Sequence, residues 1–107
     1  MINDPLEKRL DHWSDAVNEW KSLALEAAEA EGNFKKWKSM RKLTFMNAGR
    51  SGVLAEALTE AHQDFEENWM TFNEASISAE AAKKQIEIAK ASWETERSNQ
   101  VSLRAVK

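Results

Sequence analysis

A chain of 107 residues fits one domain, and with 42% hydrophobic residues, five Trp and four Phe it is too apolar for a disordered protein. Three Gly and a single Pro leave few turn residues, which excludes most β folds, and the absence of Cys excludes disulfides and Cys-ligated zinc. A net charge of -3 gives no overall attraction to nucleic acid or anionic lipid, so such binding requires a local patch.

The sequence carries no signal for secretion or membrane insertion. The N-terminal residues lack the apolar segment of a signal peptide, and no apolar run approaches the roughly 18 residues that a membrane span needs. We therefore expect a cytoplasmic protein with no membrane partner.

The first predicted helix covers about residues 5–48. Asp4 is placed to cap its first amides, and Pro5 suits the first helical position. Gly32 is the one weak point, and because a glycine weakens a helix by only about 1 kcal/mol, we expect a bend or an uninterrupted helix there. The apolar residues recur at alternating spacings of four and three, as in a helix packed lengthwise on another. They are Leu6, Leu10, Trp13, Val17, Trp20, Ala24 and Ala27.

Residues 49–52 are predicted to form a turn, with Gly49 as a left-handed cap and Ser51 as the N-cap of the second helix. That helix is predicted over about residues 53–99, where an apolar stripe from Leu54 continues without Gly or Pro. The polar tail, residues 100–107, has little periodic pattern and is predicted to fray.

The two predicted helices have matching lengths of roughly 65 Å at 1.5 Å per residue, and a short connection favours antiparallel neighbours. The sequence therefore predicts an all-α fold: a long antiparallel two-helix hairpin of coiled-coil type, forming one helical domain over residues 1–107. A hairpin that turns near Arg50 and Ser51 places residue i roughly opposite residue 101 minus i.

Apolar residues off the two stripes indicate that one hairpin is not the whole assembly. A second copy would cover them in a four-helix dimer, and a different protein is the other option. As a third possibility, the second segment breaks near residues 76–78 and the chain folds into a three- or four-helix monomer. The residues concerned are Trp37, Met40, Leu43, Phe45, Met46, Met70, Ile77 and Ile88.

A basic run precedes the turn, and no Asp or Glu occurs between Glu31 and Glu56. One interpretation is that the run sets the register of the hairpin by facing the acidic residues Glu56, Glu60, Asp64, Glu66 and Glu67. The other is contact with nucleic acid or a partner. The candidate contact residues are Lys35, Lys36, Trp37, Lys38, Arg41, Lys42 and Arg50, and the candidate apolar interface is Met40, Leu43 and Met46.

Five tryptophans raise the question of stacking platforms for single-stranded bases. Trp13, Trp20, Trp69 and Trp93 lie on the apolar stripes, so we expect them in the core. Trp37 lies between two lysines and is the one with a stacking alternative, although core packing is favoured there too.

The sequence lacks the motifs of the common catalytic and metal sites. It contains no Gly-rich phosphate loop, no nucleophile elbow, no paired-His zinc motif and no Cys nucleophile. His12 and His62 lie in separate segments that the register does not bring together. We therefore expect neither an enzyme nor a cofactor or metal site.

The stretch from about Lys38 to Asn99 combines four sequence features. They are a basic, Phe-containing helix end with Gly at the turn (Arg41, Lys42, Phe45, Gly49), the run Ser-Gly-Val-Leu-Ala-Glu at 51–56, an Ala/Glu-rich helix, and the run 86–93 followed by Ser98-Asn99. This stretch resembles short, highly helical proteins encoded in bacteriophages and prophages among early genes for recombination and replication. The resemblance implies an accessory protein that acts by binding in the host cytoplasm, and it supplies no functional residues.

These observations favour a non-enzymatic interaction protein, self-associating as a dimer, that accompanies DNA recombination or replication and binds a protein partner and, through the basic run, DNA. Two alternatives stay open. One is an inhibitor that occludes a host nuclease or defence complex with the acidic helix faces of residues 4–31 and 56–74. The other is a structural or scaffold protein.

Overall fold

The computed structural model describes the backbone of residues 5–106 and the side chains of residues 5–104. This part of the chain is all-α, with α1 at Pro5–Asn47, α2 at Gly52–Glu60 and α3 at Phe65–Val106. The fold is a long antiparallel helical hairpin, as predicted. Arg9 of α1 bonds to Ser92 of α3, and these residue numbers add to 101, as the predicted register requires.

Helix α1 runs unbroken through Gly32, so the expectation that this glycine does not end the helix is confirmed. The helix begins at Pro5, while the predicted cap Asp4 lies outside the described residues. At its end, the Gly49 amide donates to the Met46 carbonyl (3.0 Å) and the Arg50 amide to the Phe45 carbonyl (3.1 Å). These two bonds form a Schellman motif. Gly49 has φ +91°, which confirms it as the left-handed cap.

Helix α2 begins as predicted. The Ser51 hydroxyl accepts a hydrogen bond from the Leu54 amide at 3.2 Å, which makes Ser51 the N-cap.

The predicted second helix is in fact two helices, because residues 61–64 interrupt it. His62 Nδ1 accepts a hydrogen bond from the Asp64 amide (3.0 Å), and the Asp64 carbonyl accepts from the Asn68 amide (3.1 Å) and from Asn68 Nδ2 (2.7 Å). Local side-chain bonds of this kind offer the backbone an alternative to the helix. No Gly or Pro marks the position, so the prediction of one helix over residues 53–99 missed it.

Helix α3 also differs from the prediction at its far end. It passes through residues 76–78 without a break, so the three- or four-helix alternative does not form there. It extends to Val106, so residues 100–106 are helical rather than frayed, and Lys107 lies outside the described residues.

The contacts group into two compact units, of which the first combines Met1–Ala24 with Ser78–Lys107. In this unit the rings of Trp13 and Trp93 lie 5.5 Å apart. Arg9 Nη1 donates to the Ser92 hydroxyl at 2.8 Å. The buried side chains of this unit are Ala16, Ala82 and Ala89.

The second unit comprises Leu25–Ile77 and is built around Phe34, which is 6% exposed. The Phe34 ring makes edge contacts with Phe65 (5.5 Å) and Phe72 (5.6 Å) of α3. Helix α2 buries Ala55 and Thr59, and the Thr59 hydroxyl is satisfied by the Ala55 carbonyl at 2.8 Å.

The core is thin. Among the described residues, the buried apolar side chains are four alanines and Phe34. Thirteen large apolar side chains of the described part are 42% or more exposed. The helices therefore leave much apolar surface in contact with water.

Candidate interaction surface at the turn

Part of the basic run faces acidic residues of α2. Lys38 and Lys42 of α1 and Glu56 and Glu60 of α2 line one cavity of about 110 Å³, together with Ser39 and Thr59. The structure thus brings together opposite charges that the predicted register placed opposite each other.

These charges do not form ion pairs between helices. In the part of the chain that the structure describes, opposite charges come within 4.0 Å only at Lys35 with Glu31 (2.8 Å) and His62 with Asp64 (3.8 Å), the latter an ion pair only when His62 is protonated. The basic and acidic side chains that the sequence placed across the hairpin therefore lie near each other but do not form ion pairs. The register of 101 minus i also places acidic residues of α1 roughly opposite lysines of α3, and these form no ion pair in the described part either. They are Asp11, Asp15 and Glu19 with Lys83, Lys84 and Lys90.

Trp37 belongs to the aromatic cluster of the second unit. Its half-buried ring meets His62 at 5.6 Å and Phe65 at 6.1 Å. Lys38 lies over the Phe34 ring at 5.4 Å, a cation-π contact. The geometry therefore favours core packing for Trp37 over base stacking.

The core prediction for the stripe tryptophans fails at Trp69, which is 44% exposed. Trp13, Trp20 and Trp93 are half-buried. Helical spacing places Trp69 on the stripe of an uninterrupted second helix, but the break at residues 61–64 separates its helix from α2.

Among the described residues, Lys35 is the one member of the basic run with an acidic group within 4.0 Å. Of the others, Lys36 and Arg50 are exposed, whereas Lys38 and Lys42 are half-buried. Arg41 is half-buried. Positive charge without a matching negative charge therefore lies on α1 and at the turn.

Large apolar side chains surround the same turn. The predicted interface residues Met40, Leu43 and Met46 are 60%, 57% and 45% exposed, and on α2 Val53 and Leu54 are 84% and 42% exposed. We call these five residues the turn surface.

Sequence reasoning missed the α2 contribution to this surface. Helical spacing places Leu54 on the inward stripe and makes no prediction for Val53. A usable indication was present, because in residues 52–60 the only charged side chains are Glu56 and Glu60. A helix apolar nearly all round normally has its outer face covered as well.

The turn surface combines exposed apolar side chains with neighbouring positive charge. No group of three or more His, Asp or Glu side chains among the described residues is arranged to hold a metal ion. Every buried side-chain nitrogen or oxygen in that part has a hydrogen-bond partner. An exposed apolar surface bordered by positive charge is typical of a contact with another macromolecule.

Comparison with models of known protein families, with curated proteins and with solved structures gives no significant match. Over the described residues, none of the three helices contains a stretch with the length and hydropathy of a membrane span.

Proposed function

We propose that this chain is a non-enzymatic interaction protein that binds another protein chain through the turn surface. The observation that carries the proposal is the exposure of five large apolar side chains around one turn. Large apolar side chains exposed close together in the sequence and at one end of a helix pair are candidates for an interaction site. Methionine suits such a surface, because its flexible thioether adapts to different partners.

The biological setting that we propose rests on the resemblance of residues 38–99 to helical phage proteins. In that setting the protein is an accessory of DNA recombination or replication in the cytoplasm of the host. Its role is to present a docking surface, with self-association as part of its action.

Photo-crosslinking tests the protein-binding function. With p-benzoylphenylalanine in place of Leu43, we expect one defined adduct in cells that express the chain. The same label in place of the exposed Thr95, in the other unit, is the matched control and should give none. An identical adduct pattern from both positions, or no adduct from position 43, would contradict the proposal.

DNA contact is a second candidate, favoured because Lys36 and Arg50 are exposed and have no acidic group within 4.0 Å among the described residues. A titration of labelled single- and double-stranded oligonucleotides at about 50 and 200 mM salt tests it, because phosphate-driven binding falls steeply over this range. We expect salt-sensitive binding that Lys36→Glu with Arg50→Glu removes and that Lys90→Glu, a reversal in the other unit, retains. If the reversal of Lys36 and Arg50 leaves oligonucleotide binding unchanged, or if no binding occurs at low salt, this candidate is eliminated.

A further inference from the structure

In the second unit, Leu25–Ile77, helix α3 carries acidic side chains on one exposed face. Glu67, Met70 and Glu74 line one open groove of about 400 Å³. Met70 is 45% exposed, and Ile77, seven residues further along the same face, is 60% exposed. This acidic α3 face therefore combines negative charge with uncovered apolar side chains.

The complementary face lies on α1. Lys36, Met40 and Leu43 are spaced i, i+4 and i+7, which places them on one side of the helix. All three are exposed, and Lys36 has no acidic group within 4.0 Å among the described residues. This basic α1 face overlaps the turn surface at Met40 and Leu43.

We propose that the occupant of the basic α1 face is the acidic α3 face of a second copy of this chain. The inference rests on the proposed function, because it names the partner of the same surface. Lys36 meets the two glutamates, and Met40 and Leu43 meet Met70 and Ile77.

Charge and apolar character together select this occupant. A nucleic acid offers phosphates to Lys36 but leaves the methionine and leucine side chains uncovered, whereas the acidic α3 face satisfies both. The faces that meet lie on different helices, so each is disabled separately by substitution. A contact of two or three helical turns is small, so we expect weak association that depends on concentration.

Sedimentation velocity over a concentration series tests the contact. Lys36→Glu alone, or Glu67→Lys with Glu74→Lys, replaces attraction by repulsion, and we expect each variant to associate at least about tenfold more weakly than the original chain. Leu43→Glu should do the same, because it places a charge in the apolar part. Lys90→Glu is the matched charge reversal in the other unit and should associate like the original chain.

Two rescue arms decide whether the two faces meet each other. The three charge reversals combined in one chain restore opposite charges, so association should return to within about threefold of the original. An equimolar mixture of the Lys36→Glu chain with the Glu67→Lys/Glu74→Lys chain contains one intact face of each kind and should form a dimer. Circular dichroism checks that each variant keeps its helicity, and if the triple variant does not fold, the mixture decides.

A chain that stays monomeric throughout the series overturns the proposal, as does association that the charge reversals leave unchanged or that neither rescue arm restores. In those cases an adduct between position 43 and a different protein would leave the proposed function standing with another occupant. The absence of any adduct from position 43 would remove the function as well.

Discussion

Phe34 is the one large side chain buried in the described part of the chain, and three aromatic rings lie against it. We expect Phe34→Ala to lower the free energy of unfolding by about 3 to 5 kcal/mol, because it removes apolar contacts and leaves a cavity. Urea denaturation measures this change. Leu25→Ala, on the same helix at a position 73% exposed, is the control and should change stability by less than about 0.5 kcal/mol. Equal effects would mean that Phe34 is not central to the packing.

His62 connects the break between α2 and α3 to the packing against α1. Its Nδ1 accepts from the Asp64 amide, and its ring meets Trp37 edge-on. We expect His62→Ala to lower the free energy of unfolding by about 1 kcal/mol, the usual effect of losing one intramolecular hydrogen bond. Hydrogen exchange at the first amides of α3 should rise in this variant. His12→Ala, at an exposed position, should leave the free energy of unfolding and the exchange rates unchanged. Equal effects of the two substitutions would contradict a role of His62 in holding the start of α3.

At the scale of elements, replacing either of two glycines by Ala is expected to change stability, but in opposite directions. Gly32 is helical and exposed, with no atom within 4 Å of an added Cβ, so Gly32→Ala should stabilise the chain by about 0.5 to 1 kcal/mol. Gly49 has equal space but φ +91°, so Gly49→Ala should destabilise it by about 1 kcal/mol. Thermal denaturation gives both signs. A destabilising Gly32→Ala would show that α1 is not a regular helix at that point.

The hairpin could be predicted from the sequence because its determinants are local and periodic. Pro5, Gly49 and Ser51 act where their conformational preferences place them, and the apolar spacing sets the antiparallel partner. The break at residues 61–64 could not be found this way. It depends on the His62 side chain bonding to the backbone while its ring packs on a residue of another helix, and neither feature changes the hydrophobic pattern.

The candidate site was predictable in part. The exposure of Met40, Leu43 and Met46 follows from their positions off the stripe. Helical spacing also brought Lys38 and Lys42 near Glu56 and Glu60, but it specifies only the side of the helix on which a charge lies. Because it does not fix the direction of a long side chain, it indicated which charges face each other but not whether they form ion pairs.

At the scale of the whole molecule, composition and structure are out of balance. The sequence is 42% hydrophobic, yet its described part buries one large apolar side chain and exposes thirteen. Apolar area removed from water stabilises by about 25 cal/mol per Å², so covering this surface is favourable. The central claim is accordingly that the turn surface is open in the isolated chain and becomes covered on binding.

Methyl NMR of the methionines tests this claim most directly, with a soluble paramagnetic reagent reporting the exposure of each methyl group. Met40, Met46 and Met70 are assigned by single substitutions to Leu. At low protein concentration, we predict strong broadening of all three signals, since their side chains are 45% to 60% exposed. As the concentration rises, Met40 and Met70 should become protected. Protection of Met40 and Met46 at the lowest concentration would contradict the account, because the turn surface would then already be covered within a single chain.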